Sequence, residues 1–268
     1  MDANKDWIRS RKSVRTFDGR ALSETDMQAL AAYEAPADPF GVPVTLRLLN
    51  AQEHGLTSPV IVGAQTYWGV KAPRAPYFEV AVGYVFENAC LFAFNRGVGT
   101  VMLAASLNRS AFEKAMDLQP DEVMPVASPV GYPAAKRSLR ETLMRKGIRA
   151  DERKPFESLF FQGGFDQPLD PAQAGVWADP LEAVRWAPSA ANGQPWRLVL
   201  EADRVHFYET RTMKESPLGD IQLLDVGIAM AHLELAAAQQ GLTGVFTVAD
   251  PGLPTPENTR YVITFAQA

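Results

Sequence analysis

Hydrophobic and polar positions in the first half of the chain follow the spacing of helices and strands. Ser23 with Asp26 three residues later is a variant of the capping box, and it predicts a helix over Leu22–Leu30. Val44–Leu49 alternates as a half-buried strand does. A long apolar run predicts a buried helix over Ala81–Phe94 that stops at a glycine. The other elements predicted here are an apolar stretch at Val101–Ala105, a helix at Asn108–Met116 and a strand at Val123–Val130.

A second series of elements follows a stretch rich in Gly, Pro, Gln and Asp, from Gln162 to Gly175, which is typical of a surface linker. Its predicted members are helix Pro180–Trp186, turn Ala187–Pro195, strands Trp196–Leu200 and Val205–Tyr208, helix Asp225–Gln240 and strand Tyr261–Phe265. The sequence therefore predicts two halves, residues 1–161 and 176–268, joined by a linker over 162–175.

The two series resemble each other in order and in spacing. Val82-Gly83 and Gly97 align with Val226-Gly227 and Gly241, each pair 144 residues apart. Upstream, a second constant offset of 152 residues relates Ala35-Pro36, Gly41 and Pro43 to Ala187-Pro188, Gly193 and Pro195. This pattern predicts an internal duplication. The alternative is two unrelated α/β segments with similar buried helices.

Composition and charge exclude several classes of protein. The 268 residues are 47% hydrophobic and 21% charged, as in globular proteins, and the net charge of −5 disfavours a nucleic-acid binder. No apolar run reaches the ~18 residues of a membrane span, and the N-terminus lacks the apolar region of a signal peptide. One cysteine and three scattered histidines form no zinc pattern. We expect a cytoplasmic protein without nucleic-acid or membrane partners.

The two copies differ in their polar residues, and the difference points to a ligand. The turn Ala187–Trp196 carries a hydroxyl and two amides that its first-half counterpart Ala35–Pro43 lacks. Conversely, the cationic segment Arg11–Arg15 exists only in the first half. Cations and neutral polar groups from the two halves suit a ligand with a phosphate at one end and a heteroaromatic ring at the other.

Several motifs together resemble the nitroreductase family of FMN enzymes. Arg11-Lys12-Ser13-Val14-Arg15-Thr16-Phe17 is similar to the family's R-x-S-x-R-x-F/Y motif, and Ala187–Trp196 to its A-P-S-x-x-N-x-Q-P-W signature. Gly97-Val98-Gly99-Thr100, Val130-Gly131-Tyr132-Pro133 and Arg153-Lys154-Pro155 are similar to its G-L-G-T, G-Y-P and R-K-P motifs. The resemblance implies an α+β, nitroreductase-like fold with antiparallel-rich sheets and flanking helices.

The order of the motifs departs from that of typical members, in which the A-P-S-x-x-N turn follows the first helix soon and comes from the partner chain of a homodimer. Here the intact turn comes after the G-Y-P and R-K-P motifs. The sequence is thus similar to both partners fused, as in the duplicated branch of TM nitroreductases. This implies an intramolecular pseudo-dimer with one FMN per chain, for which further oligomerisation remains open.

The resemblance also implies which residues bind FMN. A phosphate carries about two negative charges and is held best by clustered cations. The phosphate-binding residues expected are Arg11, Lys12, Ser13 and Arg15, reinforced by Arg153 and Lys154. Pro188, Ser189, Ala190 and Asn192 should lie along the ring, with Asn192 bonded to its polar edge. Ala104 and Ala105 should approach N5.

Each of these assignments has a structural alternative. The N-terminal cations can form a solvated arm, an Asn-Gly pair between prolines can be a plain turn, and Met102–Ala105 can be a core strand. His206 and His232 are interpreted as structural histidines and Cys90 as a small core residue. Tyr67 and Trp68, in a segment interpreted as a glycine-rich loop, are expected to pack rather than bind. No metal site and no catalytic side chain is predicted.

The family implies an oxidoreductase in which FMN takes a hydride from NADH or NADPH and passes it to a second substrate. That electron acceptor is expected to be a nitroaromatic compound, a quinone or a similar electron-poor molecule, with ping-pong kinetics. The flavin supplies the redox chemistry, so no general acid or base is required of the protein. The alternatives are a flavin-binding storage or sensing protein without turnover, and a relic that binds no flavin.

Overall fold

The computed structural model describes residues 7–267, with the exception of the Ile8 side chain. Residues 1–6 and 268, which belong to the predicted halves and include part of the N-terminus tested for a signal peptide, lie outside the described residues.

Helix positions follow the predicted pattern closely. Ser23 caps the second helix, and its hydroxyl accepts a hydrogen bond from the Asp26 N–H. The long apolar helix begins at Phe78, a little earlier than predicted, and ends at Asn95. The helices are α1 (Trp7–Ser10), α2 (Glu24–Ala31), α3 (Ala51–His54), α4 (Phe78–Asn95), α5 (Arg109–Ala115), α6 (Leu139–Gly147), α7 (Ala178–Trp186) and α8 (Ile221–Gln239).

The strands form two sheets. They are β1 (Thr45–Asn50), β2 (Thr66–Pro73), β3 (Gly99–Thr100), β4 (Glu122–Gly131), β5 (Phe160–Gln162), β6 (Trp196–Glu201), β7 (Arg204–Thr210), β8 (Gly244–Thr247) and β9 (Thr259–Gln267). The first sheet has the order β1-β2-β4-β3 and is antiparallel throughout. The second has the order β5-β6-β7-β9-β8, in which only β5 is parallel to its neighbour.

The two halves share one topology. The order β1-β2-β4-β3 of the first half recurs as β6-β7-β9-β8 in the second, where β5 is added at the edge. A long helix joins the second strand of each series to the third, since α4 lies between β2 and β3 and α8 between β7 and β8. The helix α4 packs on the first sheet and α8 on the second, while α4 and α8 pack on each other. The predicted α+β fold, with two similar halves packed as a pseudo-dimer within one chain, is confirmed.

Strand β5 connects the halves. Its residues Phe160, Phe161 and Gln162 follow the first half in sequence but pair with Leu198, Val199 and Leu200 of β6 in the second sheet. The boundary predicted after residue 161 therefore falls within this strand, and the division at 161, 162 and 175 stays a prediction.

Two glycines set the distance between α4 and α8. A Cβ on Gly83 would lie 2.0 Å from the carbonyl oxygen of Leu224, and one on Gly227 would lie 2.1 Å from that of Val80. Gly227 lies 144 residues after Gly83, and Leu224 lies 144 residues after Val80. The contact is therefore reciprocal, as in an interface with a two-fold axis.

Several elements, among them α3, β2, β5 and α6, were not predicted from the sequence. The segment interpreted as a glycine-rich loop is strand β2, where Tyr67 and Trp68 are buried in the core as their packing role requires. Helix α6, capped by Ser138, lies in a segment rich in Lys and Arg, residues 136–154, for which no element was predicted. Helix α8 differs from the expectation that no segment has the length and apolarity of a membrane span. It is long and apolar enough by length and composition, but it is mostly buried inside the protein.

Replacing Gly83 by alanine should separate the two core helices. The added Cβ would collide with the backbone of Leu224 rather than with a side chain that could move. We expect G83A to lower the free energy of unfolding by about 3 kcal/mol, measured by chemical denaturation.

Gly147 in α6 provides the matched control, because a Cβ there meets no atom within 4 Å. G147A should change the free energy of unfolding by no more than about 1 kcal/mol. Equal effects of the two substitutions would contradict close contact at the helix crossing.

Candidate functional site

A cavity of about 140 Å³ lies between the N-terminal segment and the second-half turn. Its wall contains residues of both halves of the chain, as the difference in polar residues between the two copies predicts. The predicted residues in its wall are Arg11, Lys12, Ser13, Arg15, Arg153, Pro188, Ser189, Ala190 and Asn192. The structure thus brings together nine of the twelve predicted site residues.

Backbone hydrogen bonds hold the N-terminal segment against this cavity. The Val14 N–H donates to the Thr100 carbonyl of β3 at 2.9 Å, and the Arg15 carbonyl accepts from the Val62 N–H at 2.9 Å. The Phe17 side chain is buried. The segment is therefore fixed to the core rather than being a solvated arm, and its cations are presented to the cavity.

Three arginines of the wall each have one buried N–H donor that lacks an acceptor among the described residues. The Nε atoms of Arg11, Arg15 and Arg153 have no hydrogen-bond partner among the described residues. Burial lowers the pKa of Arg15, and burial followed by the charges of Arg11 and Arg185 lowers the pKa of Arg153 to about 10. Buried donors of this kind require an acceptor, and a multiply charged anion such as phosphate fits them.

Two cations of the cavity wall, Arg9 and Arg145, were not assigned to the site by sequence analysis. Arg145 lies in the wall and forms an ion pair of 2.5 Å with Asp151. It reaches this place because α6 turns the buried side chains of Glu141 and Arg145 to one face. The capping box formed by Ser138 and Glu141 was the available signal for this helix, although the run of charges around it hides the pattern.

The second-half turn has an unusual backbone. Ala191, Asn192 and Gln194 have φ angles of 50°, 57° and 47°, in the left-handed region that costs a non-glycine residue about 1–3 kcal/mol. The Ser189 hydroxyl accepts from the Gln194 N–H at 2.9 Å and closes the turn. Such strain persists only where surrounding contacts fix it.

The buried carboxyl of Asp225 on α8 supplies one of these contacts. Both of its oxygens accept from the Ala190 N–H, at 3.0 and 3.1 Å. Burial raises the pKa of Asp225 well above its usual value, and the charges of Asp220 and Glu209 add to the rise. The carboxyl therefore connects the core helix to the wall of the cavity.

Asn192 and Lys154 have partners within the protein. The Asn192 amide nitrogen donates to the carbonyls of Arg149 and Glu152, at 2.8 and 3.0 Å. Lys154 is absent from the described wall of the cavity, and its Nζ donates to the Gly193 carbonyl at 2.6 Å. Lys154 thus orders the turn in this structure. A bond from Asn192 to a ligand ring would have to replace these contacts, and it stays a prediction.

Ala104 and Ala105 lie in the wall of a second, larger cavity of about 540 Å³. Met102 and Ala190 line both cavities, so the two spaces are neighbours. The larger wall is mainly apolar, but it includes Glu79, whose pKa is raised by burial. Apart from Lys154, the predicted site residues therefore divide between a cationic cavity and an adjoining apolar one.

The remaining candidates have core positions. The Cys90 side chain is buried, and burial raises the pKa of its thiol. His206 is buried between Thr264 and Glu201, at 2.8 and 3.1 Å. Among the described residues, no cluster of His, Cys, Asp and Glu could hold a metal ion.

The whole chain is similar to known proteins. A family model described as "Putative TM nitroreductase" matches residues 5–237. A solved structure of a putative nitroreductase from Thermotoga maritima MSB8 is 20% identical, with a TM-score of 0.65 over 99% of this chain and 94% of that one. At this level of identity the likeness concerns the fold.

Smaller proteins match about half of the chain. A putative NADH dehydrogenase/NAD(P)H nitroreductase from Bacteroides thetaiotaomicron is 22% identical over 50% of this chain and 88% of that one, with a TM-score of 0.41. An FMN-dependent nitroreductase from Clostridium difficile R20291 is 11% identical over 49% and 88%, with a TM-score of 0.42. No curated protein matches the chain.

Replacing Asp225 should separate its two roles, as a hydrogen-bond acceptor and as a titrating group. D225A removes the buried carboxyl that accepts from the Ala190 N–H and holds the turn, so we expect the free energy of unfolding to fall by about 1–3 kcal/mol. D225N keeps an acceptor and does not titrate. Chemical denaturation of both variants and the wild type across a pH series measures these effects.

The pH dependence follows from the direction of the pKa shift. Because the folded-state pKa of Asp225 is raised, its protonated carboxyl contributes stability that is fully present below the unfolded pKa and is lost as the pH rises through the folded one. D225N should therefore gain stability relative to the wild type from about pH 4 upwards. A difference that is constant with pH would show that Asp225 is ionised in the folded protein.

Proposed function

Because the chain belongs to the family described as Putative TM nitroreductase, we propose that it is an FMN-dependent oxidoreductase that reduces electron-poor acceptors with NADH or NADPH. The family supports an oxidoreductase of the flavin class in general. The observation that carries the proposal is the cavity in which Arg11, Arg15 and Arg153 each have a buried Nε–H without an acceptor among the described residues, in a wall shared with the polar turn of the other half. Its cytoplasmic location stays a prediction.

The residues present fit both ends of FMN. Arg11, Arg15 and Arg153 would hold the phosphate through the Nε–H groups that have no acceptor in the described part of the chain. Arg145 would add a further cation to this end of the cavity. Pro188, Ser189 and Ala190 would contact the ring from the second half.

When bound, FMN would supply the redox chemistry, taking a hydride from NADH or NADPH and giving it to the acceptor. The protein's part is to bind and to orient. The strained turn, fixed by Asp225 and Lys154, presents Ala190 at the junction of the two cavities. The apolar wall of the larger cavity would receive the acceptor and exclude water from it. Nitroaromatics and quinones suit such a wall.

We further propose that each chain holds one FMN. The first-half turn lines a different cavity, of about 590 Å³, whose described wall has the carboxylates Glu34 and Asp38 and no lysine or arginine. A phosphate would be repelled there. The duplicated architecture thus has one site that suits an anion and one that does not.

The function is tested by anaerobic titration of purified protein that has been loaded with FMN. We expect one equivalent of FMN per chain and loss of the oxidised flavin's visible absorption on addition of NADH or NADPH. Return of the absorption with a quinone or nitroaromatic acceptor would complete the cycle. Bound flavin that neither nucleotide reduces would support a storage or sensing protein, and a chain that binds no FMN would contradict the proposal.

Replacing Arg15 tests the phosphate assignment. R15A should weaken FMN binding at least tenfold, ~1.4 kcal/mol, because a buried cation of the phosphate site is lost. Quenching of flavin fluorescence measures the affinity. R204A is the control, since Arg204 begins β7 with an exposed side chain, and it should bind FMN as the wild type does. Unchanged affinity of R15A would remove Arg15 from the phosphate site.

A further inference from the structure

A buried polar pair lies behind the cationic cavity, between the two core helices. Glu87 of α4 contacts His232 of α8, with 2.9 Å between Oε1 and Nε2. The side chains are 2% and 0% exposed, respectively. Glu87 also forms part of the cavity wall. The pair therefore connects the centre of the protein to the proposed phosphate site.

The hydrogen bonds of His232 determine the charge of this pair. Its Nδ1 lies 3.1 Å from the Ala183 carbonyl, which can only accept, so Nδ1 carries a hydrogen. The contact between Nε2 and Glu87 needs one further proton, on either atom. An imidazolium beside a carboxylate and a neutral imidazole beside a carboxylic acid both give the pair a net charge of zero.

Arg11 lies against the same carboxyl oxygen. Its Nε is 3.6 Å from Glu87 Oε1, and its side chain is 8% exposed. An isolated Glu87 carboxylate would cancel the charge of Arg11 and repel an anion in the cavity. Since His232 neutralises Glu87, the charge of Arg11 remains available to a ligand.

We propose that His232 is a positioning residue that neutralises Glu87, and that it thereby makes the cavity select a flavin with a phosphate over one without. This inference rests on the proposed function, because it assumes that the ligand of the cavity is FMN. It adds a buried residue of the second half, which does not line the cavity, to the determinants of cofactor choice.

A second contact joins His232 to the phosphate-binding segment. The Trp7 ring of α1 lies 5.3 Å from the imidazole, centroid to centroid, at an angle of 52°. The Arg11 N–H donates to the Trp7 carbonyl at 2.9 Å. His232 thus contacts Glu87, which lies against the Arg11 side chain, and Trp7 of α1, the helix that precedes Arg11 in the chain.

The pair is not duplicated in the other half. At the offset of 144 residues, Ala231 corresponds to Glu87 and Asn88 corresponds to His232. A pair needed only for packing between the helices would be expected on both sides of the pseudo-two-fold axis. It is found only beside the cavity rich in cations, as a role in anion binding requires.

The test compares two ligands that differ in the phosphate alone, FMN and riboflavin. His232→Gln removes the imidazole that shares a proton with Glu87 and leaves Glu87 as an uncompensated carboxylate beside Arg11. We expect H232Q to bind FMN about tenfold more weakly or worse, and riboflavin within about twofold of the wild type. The dissociation constants are measured by quenching of flavin fluorescence.

Two further variants make the comparison specific. E87Q/H232Q removes both members of the pair, so that no carboxylate from Glu87 lies beside Arg11. It should therefore restore the wild-type preference for FMN over riboflavin. Y84F is the control, since it removes a hydrogen bond between Tyr84 of α4 and Glu234 of α8 that lies outside the cavity wall, and it should keep that preference. If H232Q does not fold, H232N repeats the test with the residue found at position 88.

The outcomes separate the two proposals. Equal weakening of FMN and riboflavin by H232Q, an unchanged preference, or failure of E87Q/H232Q to restore it would overturn the inference and leave the proposed function standing. A wild-type protein that binds neither flavin would overturn the proposed function, and this inference with it.

Discussion

The crossing of α4 and α8 at Gly83 and Gly227 is the contact on which the rest of the structure depends. Each glycine lets the backbone of the other helix come within a distance that any side chain would prevent. The two sheets, one on each helix, are thereby held as one body with one shared core. The same two helices contribute to the cationic cavity, whose wall contains Glu87 of α4 and Ile228 of α8 together with first-half cations and residues of the turn at 187–195.

Within that symmetrical frame, the chemistry is strongly one-sided. The cationic cavity has Arg11, Arg15, Arg145 and Arg153, while the cavity beside the first-half turn has Glu34 and Asp38. An internal two-fold arrangement offers two equivalent places for a ligand, and here only one has the charge that a phosphate needs. The buried donors without acceptors at that place are a cost in folding that an anionic cofactor would remove on binding.

Sequence analysis predicted the architecture well because capping residues and apolar runs act locally. It missed β2 because Gly63 and Gly69 suggested a loop, whereas Gly69 is small to make room for Met116. It missed α6, and with it Arg145, because the charges around Ser138 concealed the helical pattern. Lys154 was placed at the phosphate by its motif, but only tertiary structure could show that its ammonium group caps the turn carbonyls. The local sequence does not indicate which of several neighbouring Lys and Arg side chains line the same cavity.

Strand β5 has a consequence for how the site assembles. It leaves the first half and adds a parallel edge to the second sheet, so each half is tied covalently and through backbone hydrogen bonds to the other. When a site is built from two separate chains, the fraction assembled falls on dilution. In a single chain, the partner half is always present at a high effective concentration. The cationic cavity therefore takes its wall from two halves of one chain, and its assembly does not depend on the concentration of the protein.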